Sequence, residues 1–105
     1  MEEGKKDDQK KLRVDLIPPE IEEALAKVLT HGAEKYGDNN WKGGIEYHRI
    51  YGALRRHLLA WRKGEIIDED SRLPHLWLAL TELSFLVYYD TYPSIYEGFN
   101  NYINK

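Results

Sequence analysis

Cysteine is absent from the 105 residues. Its absence removes disulfides, thiolate zinc sites and cysteine nucleophiles together, leaving carboxylates, imidazoles, hydroxyls and bound metal for any chemistry; it also suits a reducing cytoplasm. No apolar run approaches the roughly 18 residues needed to cross a bilayer, and the N-terminus, Met1 to Lys11, is rich in charge where a signal peptide would be apolar, so no membrane partner and no secretion are expected. An excess of one charge is lacking too: 18 acids against 15 bases give −3. Duplex binders usually carry a strongly basic surface, so stable nucleic-acid binding is not expected. Missing finally are a P-loop, a dinucleotide fingerprint, a nucleophile elbow, an HExxH helix and the His-Asp dipeptide of HD-type phosphohydrolases, which leaves most standard hydrolase designs unsupported.

What is present describes one small domain over residues 1–105, since a chain of this length builds a single core. Residues 1–10 carry Lys5, Lys6, Asp7, Asp8 and Lys10 with nothing apolar among them to dock, and are expected to be mobile. Leu12, Val14, Leu16 and Ile17 alternate with Arg13 and Asp15 up to Pro18-Pro19, which reads as an extended arm. Pro19 and Glu20 suit a helix start. From there Ile21, Ala24, Leu25, Val28 and Leu29 form one apolar stripe of a first helix running to about Tyr36. Gly37, Asp38, Asn39, Asn40, Gly43 and Gly44 make a loop around Trp41. A second helix, about Tyr47 to Lys63, sets Ile50, Leu54, Leu58 and Trp61 on one stripe and stops at Gly64. Ser71 is the candidate N-cap of a third helix, about Leu73 to Asp90. That helix has Leu76, Leu80, Leu83 and Val87 on one stripe but is apolar on nearly all sides, so a second copy of the chain is expected to cover it. The tail from Thr91 is broken by Pro93 and Gly98 and rich in aromatics, with a short final helix expected to pack on a neighbour.

Two constellations can carry chemistry. His57, Glu65, Asp68, Asp70 and His75 lie on the end of one helix, a turn and the start of the next, where oxygen ligands would hold Mg²⁺ or Mn²⁺ beside imidazoles. Equally, His57 is a structural histidine bonded to an acid of the turn, and the acids are a solvated capping loop. The second set is basic and aromatic: Lys11 and Arg13 in the arm, Lys35 and Tyr36, Asn40 and Trp41, then Arg49 and Arg56 two turns apart on one helix face. Forked guanidinium donors suit phosphates and an aromatic plane suits a base. The plainer alternatives are a solvated cationic face and a tryptophan plugging the core.

The segments KLRVDLIPPE (11–20), HGAEKYGDNNW (31–41), LRRHLLAW (54–61), GEIID (64–68) and DSRLPHL (70–76) occur in an order that resembles the dATP/dGTP diphosphohydrolase N-terminal family, largely phage-encoded and a branch of the MazG-like pyrophosphohydrolases. The resemblance covers roughly residues 5 to 90. It implies an all-α fold: a small MazG-like bundle of three main helices with an N-terminal extended arm and a short C-terminal helix, completed by oligomerisation as a dimer or tetramer. It also implies hydrolysis of a deoxypurine nucleoside triphosphate to monophosphate and pyrophosphate with Mg²⁺ or Mn²⁺, in the host cytoplasm if phage-encoded. Residue by residue, it matches Lys11, Arg13, Asp15, Lys35, Tyr36, Asn40, Trp41 and Arg56 to substrate binding. His57, Glu65 and Asp68 match catalysis, and His57, Glu65, Asp68, Asp70 and His75 a metal. Arg72 stands where the family pattern has glycine and Leu78 where a second histidine is common. Glu65 and Asp68 supply one acidic pair; Glu34 and Glu82 are the spare candidates for a second. The rival reading is a non-catalytic helical module that binds a nucleotide or a protein.

Overall fold

A computed structural model of the chain describes residues 2–103; Met1, in the segment expected to be mobile, and Asn104 and Lys105, at the end of the tail, lie outside the described residues. The fold is all-α, with α1 at Pro19–Tyr36, α2 at Tyr47–Arg62, α3 at His75–Thr91 and a one-turn α4 at Pro93–Tyr96. Among the described residues the one β-type pairing is a bridge between Ile67 and Pro74, and no helix is long and apolar enough to cross a membrane.

The arm is not fully extended. Val14–Leu16 form a 3₁₀ turn, closed by Leu16 N–H to the Arg13 carbonyl and Ile17 N–H to that of Val14; alternation over so few residues does not separate a strand from such a turn. Pro19 opens α1 at the first helical position, and the stripe buries Ala24 and Val28. Helix α2 ends at Arg62, and Gly64 follows at φ +102°, a conformation that favours glycine.

Helix α3 begins at His75, two residues later than its hydrophobic pattern implies. Ser71 caps nothing there: its N–H and Oγ donate to Asp68 Oδ2, and its Oγ accepts from Leu73 N–H. The α2–α3 connection is instead a small backbone hairpin, with Asp68 N–H donating to the Leu73 carbonyl, Arg72 N–H to that of Asp68 and His75 N–H to that of Ile66. Arg72 takes φ +64° in it, a left-handed conformation that suits glycine and strains an arginine.

Helices α2 and α3 pack most extensively, with α1 laid along α3. Their core is aromatic: Tyr47, Ile50, Tyr89 and Tyr96, flanked by Trp41, Phe85, Tyr88 and Phe99. Tyr89 and Tyr96 donate their hydroxyls to the carbonyls of Trp41 and Lys42, so the 37–46 loop is fastened by buried donors that need those partners. The expected α3 stripe is not the buried one. His75, Ala79, Thr81 and Tyr89 face inward, while Leu76, Leu83 and Val87 are exposed, as are Leu58 and Trp61 on α2. A helix apolar all round carries no marker of which face the other helices take.

Candidate functional site

A cleft of about 1190 Å³ opens between the C-terminal half of α1, the Trp41 loop, α2 and α3. Four of the sequence-predicted substrate residues line it: Tyr36, Asn40, Trp41 and Arg56. Trp41 is both plug and wall. It stacks on Phe85 at 4.7 Å between centroids and meets Tyr88 edge-on at 4.9 Å, and it also lines the cleft. Arg49 lines the same space. A Cβ at Gly52 would lie 3.0 Å from Arg56 Nη1; glycine there lets the guanidinium fold back against α2.

Opposite these cations lies Glu82, half-buried on α3 and part of the cleft wall. Burial pushes its carboxyl up to about 7, with Arg56 pulling the other way. In the sequence Glu82 is only a spare candidate for a second acidic pair. A signal was present: it is the single charged residue between His75 and Tyr89, and a lone acid in an otherwise apolar helix has to answer to something.

The other predicted substrate residues stand elsewhere. Lys35 lies with its ammonium 5.2 Å from the Tyr36 ring and outside the cleft lining. Lys11, Arg13 and Asp15 sit on the exposed arm, where the Arg13 guanidinium donates to Asp15 at 2.9 and 2.8 Å and so holds that carboxyl below its ordinary range.

The α2–α3 hairpin gathers a second group. His57, Asp68 and His75 bring one ligand atom each to within 4.8 Å of one another, and the two Nδ1 atoms are 2.9 Å apart. His75 is 5% exposed, its Nε2 has no hydrogen bond, and Glu65 Oε2 stands 3.6 Å from it. Burial, then the neighbouring His75 and Arg56, lower the His57 imidazole against the pull of Asp68. Burial would raise Asp68, but two bonds from Ser71 and the imidazoles outweigh it and hold the carboxylate below its usual range. The expected knot of acids is therefore not formed: Asp70 is exposed and outside the group, and Glu65 flanks it rather than joining it. Two nitrogens and one carboxylate stand where an oxygen-rich set was expected, and none of the three residues lines the cleft.

The model of the family described as dATP/dGTP diphosphohydrolase, N-terminal, matches residues 1–96. The chain belongs to that family. Over 83 residues it is 37% identical to a dATP/dGTP diphosphohydrolase of Salmonella phage PMBT28. That match takes in 79% of the chain and 28% of the relative, so the chain spans less than a third of that protein's length. No solved structure matches.

Proposed function

We propose that the protein hydrolyses deoxypurine nucleoside triphosphates, dATP or dGTP, between the α and β phosphorus to give the monophosphate and pyrophosphate, with Mg²⁺ or Mn²⁺. The observation that carries this reading is the cleft, where an aromatic wall of Trp41 and Tyr36, the guanidiniums of Arg49 and Arg56 and the half-buried carboxyl of Glu82 meet in one space. The phage relative's name supports the substrate class.

Each cleft residue has a task in that chemistry. Tyr36 and Trp41 frame the purine, and Asn40 offers donor and acceptor to its edge. Arg49 and Arg56 neutralise the β and γ phosphates and the charge that grows on the leaving pyrophosphate. Glu82 fits a hard cation: Mg²⁺ is commonly held by one or two carboxylates plus the substrate's own phosphates, and a carboxyl whose charge is disfavoured by burial is one that a cation relieves. When bound, such an ion polarises the α-phosphoryl oxygen and acidifies a water. His57, Glu65 and Asp68, the catalytic set implied by the sequence, lie outside the cleft lining of a single chain, so Glu82 takes their part at the phosphates.

The reading includes self-association. The accessible surface is 8740 Å², whereas roughly 6100 Å² is usual for a folded monomer of 12.4 kDa. The exposed arm accounts for part of the excess, and the open apolar side of α3, with Leu83 48% and Val87 59% exposed, for more. In a dimer or tetramer α3 and the aromatic tail would meet a second copy, and Lys11, Arg13, Asp15 and Lys35 would reach triphosphate only through such an assembly.

The test is incubation of the purified chain with each deoxynucleoside triphosphate and Mg²⁺ or Mn²⁺, read as pyrophosphate released. Turnover of dATP or dGTP supports the reading. Binding without turnover favours the second one, a nucleotide-binding module whose catalysis needs more protein, for which the small share of the phage relative that is covered speaks.

A further inference from the structure

The tail after α4 is tied to the segment that walls the cleft. Tyr96 donates its hydroxyl to the Lys42 carbonyl at 2.6 Å, Phe99 lies where a Cβ of Gly44 would stand, and Tyr102 meets the Tyr51 ring edge-on at 6.0 Å between centroids. Asn101 makes the most specific contact. Its Oδ1 accepts from His48 N–H at 3.1 Å, and its Nδ2 pairs with His48 Nδ1. His48 is the second residue of α2, whose N-cap residue, Glu46, makes no side-chain bond there. An orphan N–H of the first turn is thus satisfied by a residue 53 positions away. His48 and its neighbour Arg49 both line the cleft, whereas Asn101 does not. Asn101 also lies beyond the residues matched to the family.

This two-point clasp fixes a proton. A backbone N–H can only donate, so the amide atom facing it is the oxygen and the amide nitrogen faces the ring. Nδ1 therefore accepts, and in the neutral imidazole the proton sits on Nε2. Glu46 Oε2 also approaches Nδ1, but at 3.8 Å it stands beyond hydrogen-bond distance. With Nδ1 taken by the tail, and no bond to Nε2 among the described residues, Nε2–H is the group that His48 has left for a ligand. A donor without charge beside the guanidinium of Arg49 suits an anionic oxygen.

We propose that Asn101 is a positioning residue for the cleft: by holding His48 as the Nε2–H tautomer it gives the wall beside Arg49 a neutral donor for a non-bridging phosphate oxygen of the bound triphosphate. This role rests on the cleft being the nucleotide site, but not on hydrolysis taking place there.

The full chain and its Asn101→Asp variant are compared at about pH 9, above the ordinary imidazole range. Aspartate keeps an oxygen for His48 N–H, and an acid suits the first turn of a helix. Its other oxygen, however, accepts where the amide donated, so the ring turns over to Nδ1–H. Without ligand, the imidazole nitrogen shifts in NMR should show a protonated Nε2 in the parent and a protonated Nδ1 in the variant, with no loss in Tm. Tripolyphosphate with Mg²⁺, the probe for the phosphate site, should bind the variant roughly 10-fold more weakly by calorimetry. His48→Ala should lose as much, and Asn101→Asp added to His48→Ala should cost nothing further. A protonated Nδ1 in the parent, no binding of tripolyphosphate by the parent, or equal affinity in parent and Asn101→Asp would overturn the assignment. So would a loss that persists in the His48→Ala background, the mark of a merely added charge. No release of pyrophosphate from dATP or dGTP, with the tripolyphosphate difference intact, would instead sink the hydrolytic reading and leave this one standing.

Discussion

Arg56 and His57 are adjacent on α2 and serve different places. Arg56 lines the cleft and pulls on the carboxyl of Glu82, while His57 Nδ1 stands 2.9 Å from His75 Nδ1 under the hairpin. Successive helical residues point about 100° apart, so one helix turn divides the Trp41 cleft from the His–Asp–His cluster.

Glu82 makes stability depend on pH in a definite direction. Its folded carboxyl titrates at about 7 against an ordinary 4.5, so the native state holds the proton more tightly than the unfolded chain. Its contribution is fully present below about 4.5 and is lost as pH rises through 7, by up to about 3 kcal/mol less what partial solvent contact recovers. Glu82→Gln should therefore match the parent in urea unfolding near pH 4.5, exceed it at pH 8, and release no pyrophosphate at either. A mutant less stable at pH 8 would show that the carboxylate is well paired there.

Trp41 couples the loop to the core through Phe85 and Tyr88. Trp41→Ala should cost roughly 2–4 kcal/mol in urea unfolding. Trp41→Phe should recover most of that stability but raise the Kd for dGTP, measured by calorimetry, because a smaller ring offers the purine less surface.

Arg72 holds φ +64° in the hairpin. Arg72→Gly should raise stability by about 0.5–1 kcal/mol, the relief of a left-handed arginine less the added freedom of the unfolded chain. Thermal melts of the two proteins at one pH and metal content measure it.

Leu83 and Val87 stand one turn apart on the exposed side of α3. If that side meets a second copy, Leu83→Glu with Val87→Glu should halve or quarter the mass found by light scattering and lower Tm, because two charges would otherwise be buried in an apolar contact. An unchanged mass would move the interface to another surface.

Much of the fold was legible because its signals are local. Pro19 at the first position of α1, the stripe that buries Ala24 and Val28, and Gly64 beyond α2 act through neighbours within a turn or two. The start of α3 departs from its hydrophobic pattern for a physical reason: Ser71, a good N-cap by type, is drawn to the Asp68 carboxylate, and the hairpin's backbone bonds delay the helix until His75. Tyr36, Asn40, Trp41 and Arg56, grouped by their chemistry in the sequence, share one cleft. Asp70, a metal candidate by its charge, its nearness in sequence and the family resemblance, stands outside the group, because a turn of a few residues can aim adjacent carboxylates in different directions.

The order and type of the helices, the absence of thiol chemistry and the kinship of the chain were determined by the sequence alone, since periodicity, end signals and ordered motifs need no third dimension. Which side of the uniformly apolar α3 is buried, which of the three acids Glu65, Asp68 and Asp70 joins the two imidazoles, and why Glu82 holds its proton near neutrality were decided only by the tertiary structure. Each depends on desolvation and on distances between groups many residues apart, and those exist only once α2, α3 and the Trp41 loop have packed.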